Sequence, residues 1–219
     1  NDVKSVYSLF IFLVLGILYW FAYANMGSLY YSQGCQMNYV ITSKFKIPIA
    51  ALNDADTVTI LILVPIVDGF LYPCLKRRNI NFSMLKRMGV GYFIMIVAMI
   101  TAAIIEMMRK DSEILDTKSD CDEDIRISSL SILWQIPQYF LVGLSEVFAS
   151  ITSNEFFAGQ APKSLKSIVY ALNIFTWGVG SWINSLIVLI VNSWKPKWIT
   201  NNLNDGYLEY YFILSASIV

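Results

Sequence analysis

The 219-residue sequence contains no histidine, which removes the commonest metal ligand and the only side chain that titrates near neutrality without a shift. Its three cysteines, Cys35, Cys74 and Cys121, are odd in number and lack metal-type spacing. Neither a zinc site nor a disulfide framework is expected, and one bridge, Cys35 to Cys121, stays open. Charge is scarce too: Asp, Glu, Lys and Arg make up 15% of the chain, against roughly a quarter in soluble proteins. The 16 basic and 16 acidic residues cancel, which leaves no excess to attract nucleic acid. Also missing are a phosphate loop with its Lys-Ser/Thr ending, a dinucleotide glycine fingerprint, paired metal histidines and a nucleophile elbow. With no nucleophile–base pair and no metal cluster, the chain is not expected to be an enzyme, and no cofactor is implied.

What is present is apolar surface. Hydrophobic residues make up 56% of the chain and aromatics 15%, more than a globule of this size buries in its own core. The remaining solvent is lipid, and the fold class is an all-α membrane protein. Six apolar segments are predicted as spans, near 5–31, 58–75, 88–108, 128–154, 168–192 and 207–219. The last, YLEYYFILSASIV, stops while still apolar and reads as a truncated span. The first has only NDVK before it and lacks the basic, short-core and small-residue pattern of a signal peptide. Loop 76–87 carries Lys76, Arg77, Arg78, Lys86 and Arg87, and loop APKSLKS adds Lys163 and Lys166, which places both in the cytoplasm. The connection at 109–127 holds Asp111, Glu113, Asp116, Asp120, Asp122, Glu123 and Asp124 and falls on the opposite side. Its acidic run has the composition of a solvated or disordered outer loop. On this topology the first span runs from inside to outside and the sixth returns.

Polar residues at membrane depth are costly, so those that share a helix face are informative. At about 100° per residue, Gln135, Gln138, Glu146, Ser150 and Ser153 fall on one face of the fourth span. Tyr170, Asn173, Trp177, Ser181 and Asn184 form a similar stripe on the fifth. The first span offers Tyr19, Tyr23 and Tyr30 with Trp20 beside them, and Gly16 and Gly27 for close helix approach. For the aromatics the competing reading is helix packing and an interfacial belt; for Glu146 it is an interhelical hydrogen bond. Asp68 lies near Lys76, Arg77 and Arg78 and is expected in a gate or a helix-end ion pair. GVG at 89–91 and at 178–180 reads as close packing. Pro65, Pro73 and Pro137 free backbone carbonyls within or at the ends of helices, as a moving transporter or a channel tolerates.

Longer stretches resemble a known family. WQIPQYFLVGLSEVFASITSNEFFAGQAPKSLKS (134–167) is similar to the tenth helix and following loop of the proton-dependent oligopeptide transporter (POT/PTR) family, a branch of the major facilitator superfamily. PIVDGFLYPCLKRRNINFSMLKRMGVGY (65–92) resembles its eighth helix, cytoplasmic loop and ninth helix. WITNNLNDGYLEYYF (198–212) resembles the entry into its twelfth, and SQGCQMN (32–38) the end of its seventh. The resemblance covers nearly the whole chain and implies the C-terminal six-transmembrane-helix half of the bundle, in a eukaryotic and fungal style. The N-terminal six-helix half, with its acidic-acidic-arginine helix and its helix-four lysine, has no counterpart here.

The resemblance implies proton-driven symport of di- and tripeptides by alternating access, with the proton as coupling ion and small peptides, the lipid bilayer and an N-terminal half as partners. The plasma membrane is the expected location. Glu146 matches the glutamate that in the family faces the peptide's amino terminus. Trp20 and Tyr23 match aromatic pocket positions, and Asp56 stands where animal and bacterial members often have a substrate-contacting asparagine. Asn173 replaces a pocket tryptophan of many members, with Trp177 nearby, and Ala24 occupies a position that is acidic in some. Two rivals stand beside this reading: a nitrate or other anion transporter of the same wider family, and a non-transporting receptor or partner fragment.

Overall fold

Backbone amides and carbonyls in hydrocarbon have no water to bond, so long apolar runs are confined to helices. The computed structural model describes residues 2–42, 45–161 and 165–219, and Lys163 lies outside them. Helix α1 (Asp2–Asn25) runs through a wide π-type turn, Met26–Tyr30, into α2 (Tyr31–Gly34) as one rod. A second rod joins α3 (Asn53–Ile66) through another wide turn, Val67–Leu71, to α4 (Tyr72–Arg77). α5 (Met84–Asp111) and α8 (Lys166–Ser193) are unbroken helices of 28 residues each, about 40 Å at 1.5 Å per residue and so longer than the hydrocarbon is thick. α6 (Ile136–Phe148) and α7 (Ser150–Gln160) form a rod interrupted at Ala149, and α9 (Leu208–Ile218) is a shorter apolar helix. Leu9–Gly34, Ile49–Arg77, Met84–Asp111 and Lys166–Ser193 are each long and apolar enough to cross a membrane. The chain thus folds as a six-rod, all-α membrane bundle.

Prolines explain part of this geometry. Pro73 cannot donate to the carbonyl four residues back, and the wide turn Val67–Leu71 immediately precedes it. Pro137 sits in the first turn of α6, where no donor is needed. The fourth apolar segment, read as 128–154, is displaced in the structure: after a 3-10 turn at Ile132–Gln135, α-helix starts only at Ile136 and continues to Gln160. Residues 128–132 instead pair outside the bundle, with Ser128 N–H donating to the Gln36 carbonyl at 2.9 Å and Asn38 N–H to the Leu130 carbonyl at 2.8 Å.

Short connections at 78–83 and 161–165 join rods at one end, and longer ones at 35–52, 112–135 and 194–207 join them at the other. Two small antiparallel hairpins decorate the second end: β1 (Val40–Thr42) with β2 (Phe45–Lys46), and β3 (Ile114–Lys118) with β4 (Arg126–Ser128). The acidic run is therefore solvated but not disordered. Its carboxylates are exposed while its backbone is pinned by a Cys35–Cys121 disulfide and by Ser119 Oγ, which donates to the Cys35 carbonyl at 2.6 Å. Lys46 donates to both oxygens of Asp120 at 3.0 and 3.1 Å, and this hydrogen-bonded contact holds the Asp120 carboxyl below its ordinary range.

Beneath these hairpins a buried polar network ties four rods together. Glu106 and Arg109 in α5 are fully buried and form a two-pronged pair, Arg109 Nη2 to Oε1 at 2.7 Å and Nε to Oε2 at 3.0 Å. Arg109 Nη1 also donates to Asn204 Oδ1 at 2.9 Å, before α9. Gln33 in α2 donates to Glu106 Oε2 at 3.0 Å, and its own oxygen accepts from Gln135 at 3.0 Å and Gln138 at 3.1 Å. Lys110 pairs with Glu209 of α9 at 2.6 Å. Every charge here has a fixed partner, the condition under which a buried ion pair is tolerated.

Elsewhere apolar packing does the work. Met95, Ala98, Met99, Ala102 and Ala103 of α5 are buried in the largest core cluster, with Tyr139 and Val142 of α6 and Tyr211 and Phe212 of α9. Tyr30 is fully buried with its ring centroid 5.4 Å from Tyr139 and 5.6 Å from Phe212, so it is a packing residue and not part of an interfacial belt. α8 lies close on α1 at Gly180, where a Cβ would come within 2.7 Å of Trp20 Cβ and 2.8 Å of the Ile17 carbonyl oxygen. Only the second glycine of each GVG serves this purpose, and Gly27, read as a close-approach residue, faces open space.

Arg109→Gln would leave the Glu106 carboxylate buried without its cation and is expected to cost about 3–5 kcal/mol. Thermal unfolding in detergent of the full-length polypeptide carrying this sequence checks this, and Glu106→Gln/Arg109→Gln should recover part of the loss. Gly180→Leu should separate α1 from α8 and lower the folded yield in the same preparation.

Candidate functional site

Away from the Glu106–Arg109 network, polar side chains of α1, α3 and α6 meet again, and here two carboxyl oxygens are left unpaired. α1 contributes Tyr19, Trp20 and Tyr23, α3 contributes Asp56, and α6 contributes Ser145 and Glu146. Asp56 lies in the first turn of α3, where the helix dipole favours negative charge, and is 3% exposed. Tyr23 donates to Asp56 Oδ2 in a long hydrogen bond of 3.4 Å, and its hydroxyl also adjoins the Glu146 carboxyl.

Gly143 makes this meeting possible. A Cβ there would come within 2.8 Å of Asp56 Oδ1 and 3.0 Å of the Asp56 carbonyl oxygen, so α3 rests directly on the bare backbone of α6. Glu146 lies three residues, most of a turn, farther along the same helix. Asp56 Oδ1 and Glu146 Oε2 are both buried without a hydrogen-bond partner. Neither carboxylate joins a salt bridge among the described residues, where the ion pairs are Lys46–Asp120, Arg109–Glu106, Lys110–Glu209 and Arg126–Asp116.

Aromatic rings wall the pair. Tyr19 is buried, accepts from Ser145 Oγ at 3.1 Å and stacks on Tyr92 at 5.4 Å. Trp20 sets its edge against Tyr23 at 5.0 Å and reaches Trp177 of α8 at 5.8 Å. On the far side of Tyr23 a groove of about 310 Å³ opens between α1 and α8, lined by Ala24, Gly27, Trp177, Ser181 and Asn184 among others. Tyr23 therefore stands between this groove and the two carboxyls.

The structure thus brings Tyr23, Asp56 and Glu146 together and keeps Trp20 beside them. Asn173 stands apart: its amide nitrogen donates to Asn154 Oδ1 at 2.7 Å and its oxygen accepts from Ser153 Oγ at 3.3 Å. It shares with Trp20 only a void of about 10 Å³, smaller than a ligand needs. Asp68 forms no salt bridge among the described residues, because its position in the wide turn leaves it exposed, and the helix-end ion pair expected for it is absent there.

Sequence reasoning overlooked Ser145, Tyr92 and Gly143, which support the site, and Glu106 with Arg109. The latter had a legible signal, two opposite charges three residues apart in the last turns of an apolar helix. Gly143 had a weaker one, a glycine three residues before a mid-span glutamate. Tyr92 had none, since a single tyrosine in an apolar run does not announce what it stacks on.

A family profile described as PTR2, POT family, matches residues 1–202. The curated relatives include NRT1/PTR FAMILY 8.1 from Arabidopsis thaliana, 36% identical over all of this chain and 39% of the relative, and NRT1/PTR FAMILY 8.3 from the same plant, 35% identical over all of this chain and 38% of the relative. The chain therefore spans about two fifths of the length of these relatives. Among solved structures, the crystal structure of an auto-inhibited POT family peptide transporter superposes with a TM-score of 0.71 at 21% identity, over 99% of this chain and 40% of that one. At that identity the likeness concerns the fold.

Gly143→Ala is expected to destabilise the fold by about 1–3 kcal/mol, since the added methyl must push α3 from α6. Gly27→Ala, where nothing lies within 4 Å, should leave thermal unfolding unchanged and serves as the control.

Proposed function

The chain belongs to the POT family of membrane transporters, and we propose that it forms the C-terminal half of a proton-coupled symporter of di- and tripeptides, working by alternating access. The observation that carries this reading is the pair of carboxyls on buried Asp56 and half-buried Glu146, each with a buried oxygen that has no partner. Two anions side by side at membrane depth need compensating positive charge. A peptide ammonium supplies one positive charge and a proton another, so the same two groups account for attraction of the substrate and for its coupling to protons.

In this reading Glu146 receives the peptide's amino terminus, and Asp56, held by Tyr23, shares the positive charge. Trp20 and Tyr23 offer flat apolar walls for the peptide backbone, and Trp177 borders the side-chain space. Asn173 acts indirectly, by fixing α8 against α7 through Asn154. The peptide carboxylate needs cations that this site lacks among the described residues, and an N-terminal six-helix half is the proposed source. The groove beside Tyr23 would face that half. The plasma membrane is the proposed location.

The NRT1/PTR name of the relatives favours a second reading, nitrate or another solute as cargo. Electrostatics weighs against an anion at this site, because two carboxylates and a wall of aromatic rings repel it.

Tracer uptake by the full-length polypeptide, in cells lacking peptide uptake of their own, should be competed by dipeptides and not by nitrate. The opposite pattern would refute the peptide reading. Glu146→Gln removes one charge-assisted bond to an ammonium, worth about 1.5–3 kcal/mol, and should weaken apparent dipeptide affinity about ten- to a hundredfold with surface expression intact.

A further inference from the structure

Where α4 ends and α5 begins, the chain forms an open cleft of about 660 Å³ that the transport reading leaves unused. Its lining includes Asp68, Tyr72, Lys76, Asn81, Phe82 and Arg87. Asn79, at φ 54°, adopts the left-handed region and turns the chain back, so that Lys76 from one rod and Arg87 from the next face one space.

Arg87 is held in place rather than left to roam. Its guanidinium carbon lies 3.7 Å from the Tyr72 ring centroid, and Nε donates to the Phe82 carbonyl at 3.2 Å. The two terminal nitrogens meet no carboxylate within salt-bridge distance among the described residues. A fixed planar fork with both prongs available is the geometry that takes phosphate oxygens in pairs. Lys76 adds a second cation to the lining, while Arg77, Arg78 and Lys86 raise the positive potential of the same loop. Asp68 is the single acidic group in the lining and can accept from a hydroxyl or an ammonium.

The position narrows the ligand. This end of the bundle carries the basic loops, which the charge bias of membrane proteins assigns to the cytoplasm, and the cytoplasmic leaflet is where anionic phospholipids concentrate. Phe70, Ile80 and Leu85 on the same segment are exposed, at 72%, 50% and 49%, and give acyl chains an apolar path. A cleft of this volume exceeds what one phosphate fills and lies in the range of small-molecule sites.

We infer that this cleft binds the headgroup of an anionic phospholipid of the cytoplasmic leaflet, with the phosphate diester on Arg87 and Lys76, a headgroup hydroxyl or ammonium on Asp68, and the acyl chains over Phe70, Ile80 and Leu85. The site is independent of the cargo carried between the two halves.

Native mass spectrometry of the full-length polypeptide, taken from vesicles of phosphatidylcholine with either phosphatidylserine or phosphatidylinositol, tests this. Anionic lipid should be retained in preference to phosphatidylcholine. Lys76→Gln and Arg87→Gln should each lower that preference about fivefold, the effect of one cation near an anionic surface. Lys118→Gln, exposed on the opposite end, should leave it unchanged. Should Arg87→Gln not fold, because its stacking on Tyr72 is lost, the exposed Lys76 carries the test. Equal retention of phosphatidylcholine, equal losses in Lys76→Gln and Lys118→Gln, or displacement of the lipid by millimolar inorganic phosphate would each overturn the inference.

Discussion

Hydrocarbon supplies no hydrogen bonds, so every polar group carried into a membrane must be answered from within the protein. The bundle answers this demand unevenly. At one end Glu106, Arg109, Gln33, Gln135, Gln138 and Asn204 hydrogen-bond one another as a clamp across four rods, leaving the amide oxygens of Gln135 and Gln138 without a partner. Between α3 and α6, Asp56 and Glu146 keep a buried oxygen each with nothing to bond. An unpaired carboxyl oxygen is costlier to bury than an unpaired amide oxygen, so the carboxyl pair is the more demanding of the two.

The clamp is reinforced covalently and by the connecting segments. The Cys35–Cys121 disulfide joins positions 86 residues apart beside Gln36, whose amide donates to the Asn201 carbonyl at 2.7 Å and accepts from Leu203 N–H at 3.0 Å. Helices entering the site are less regular. α6 gives way to α7 at Ala149, three residues past Glu146, and the α3–α4 rod widens at Val67–Leu71. Interrupted helices have softer backbones than continuous ones because their ladder of hydrogen bonds is broken.

One helical stripe shows how far pattern alone can be taken. Gln135, Gln138, Glu146, Ser150 and Ser153 share a face by their spacing, and spacing suggests a single lining. The structure divides them among separate tasks. Gln135 and Gln138 bond Gln33 in the clamp, Glu146 keeps one unpaired oxygen near Asp56, and Ser153 bonds Asn173 on α8. Periodicity reports which residues avoid lipid, but which neighbour each meets depends on where the other rods stand along the axis. Asn173 illustrates the same limit, since nothing local signals that Asn154 and Ser153 consume its amide.

Composition and the length of the apolar runs were sufficient to determine an all-α membrane protein, because transfer to lipid is governed by each segment's own hydropathy and charge. The depth of Glu146 in an apolar run was likewise enough to mark it. Tertiary structure alone decided that Asp56 joins it, because that contact passes through Gly143 and depends on how closely two helices distant in sequence approach. It also decided that Arg109 neutralises Glu106 in a dry interior and that the acidic loop is ordered as a hairpin, since the bonds that impose both come from segments far along the chain.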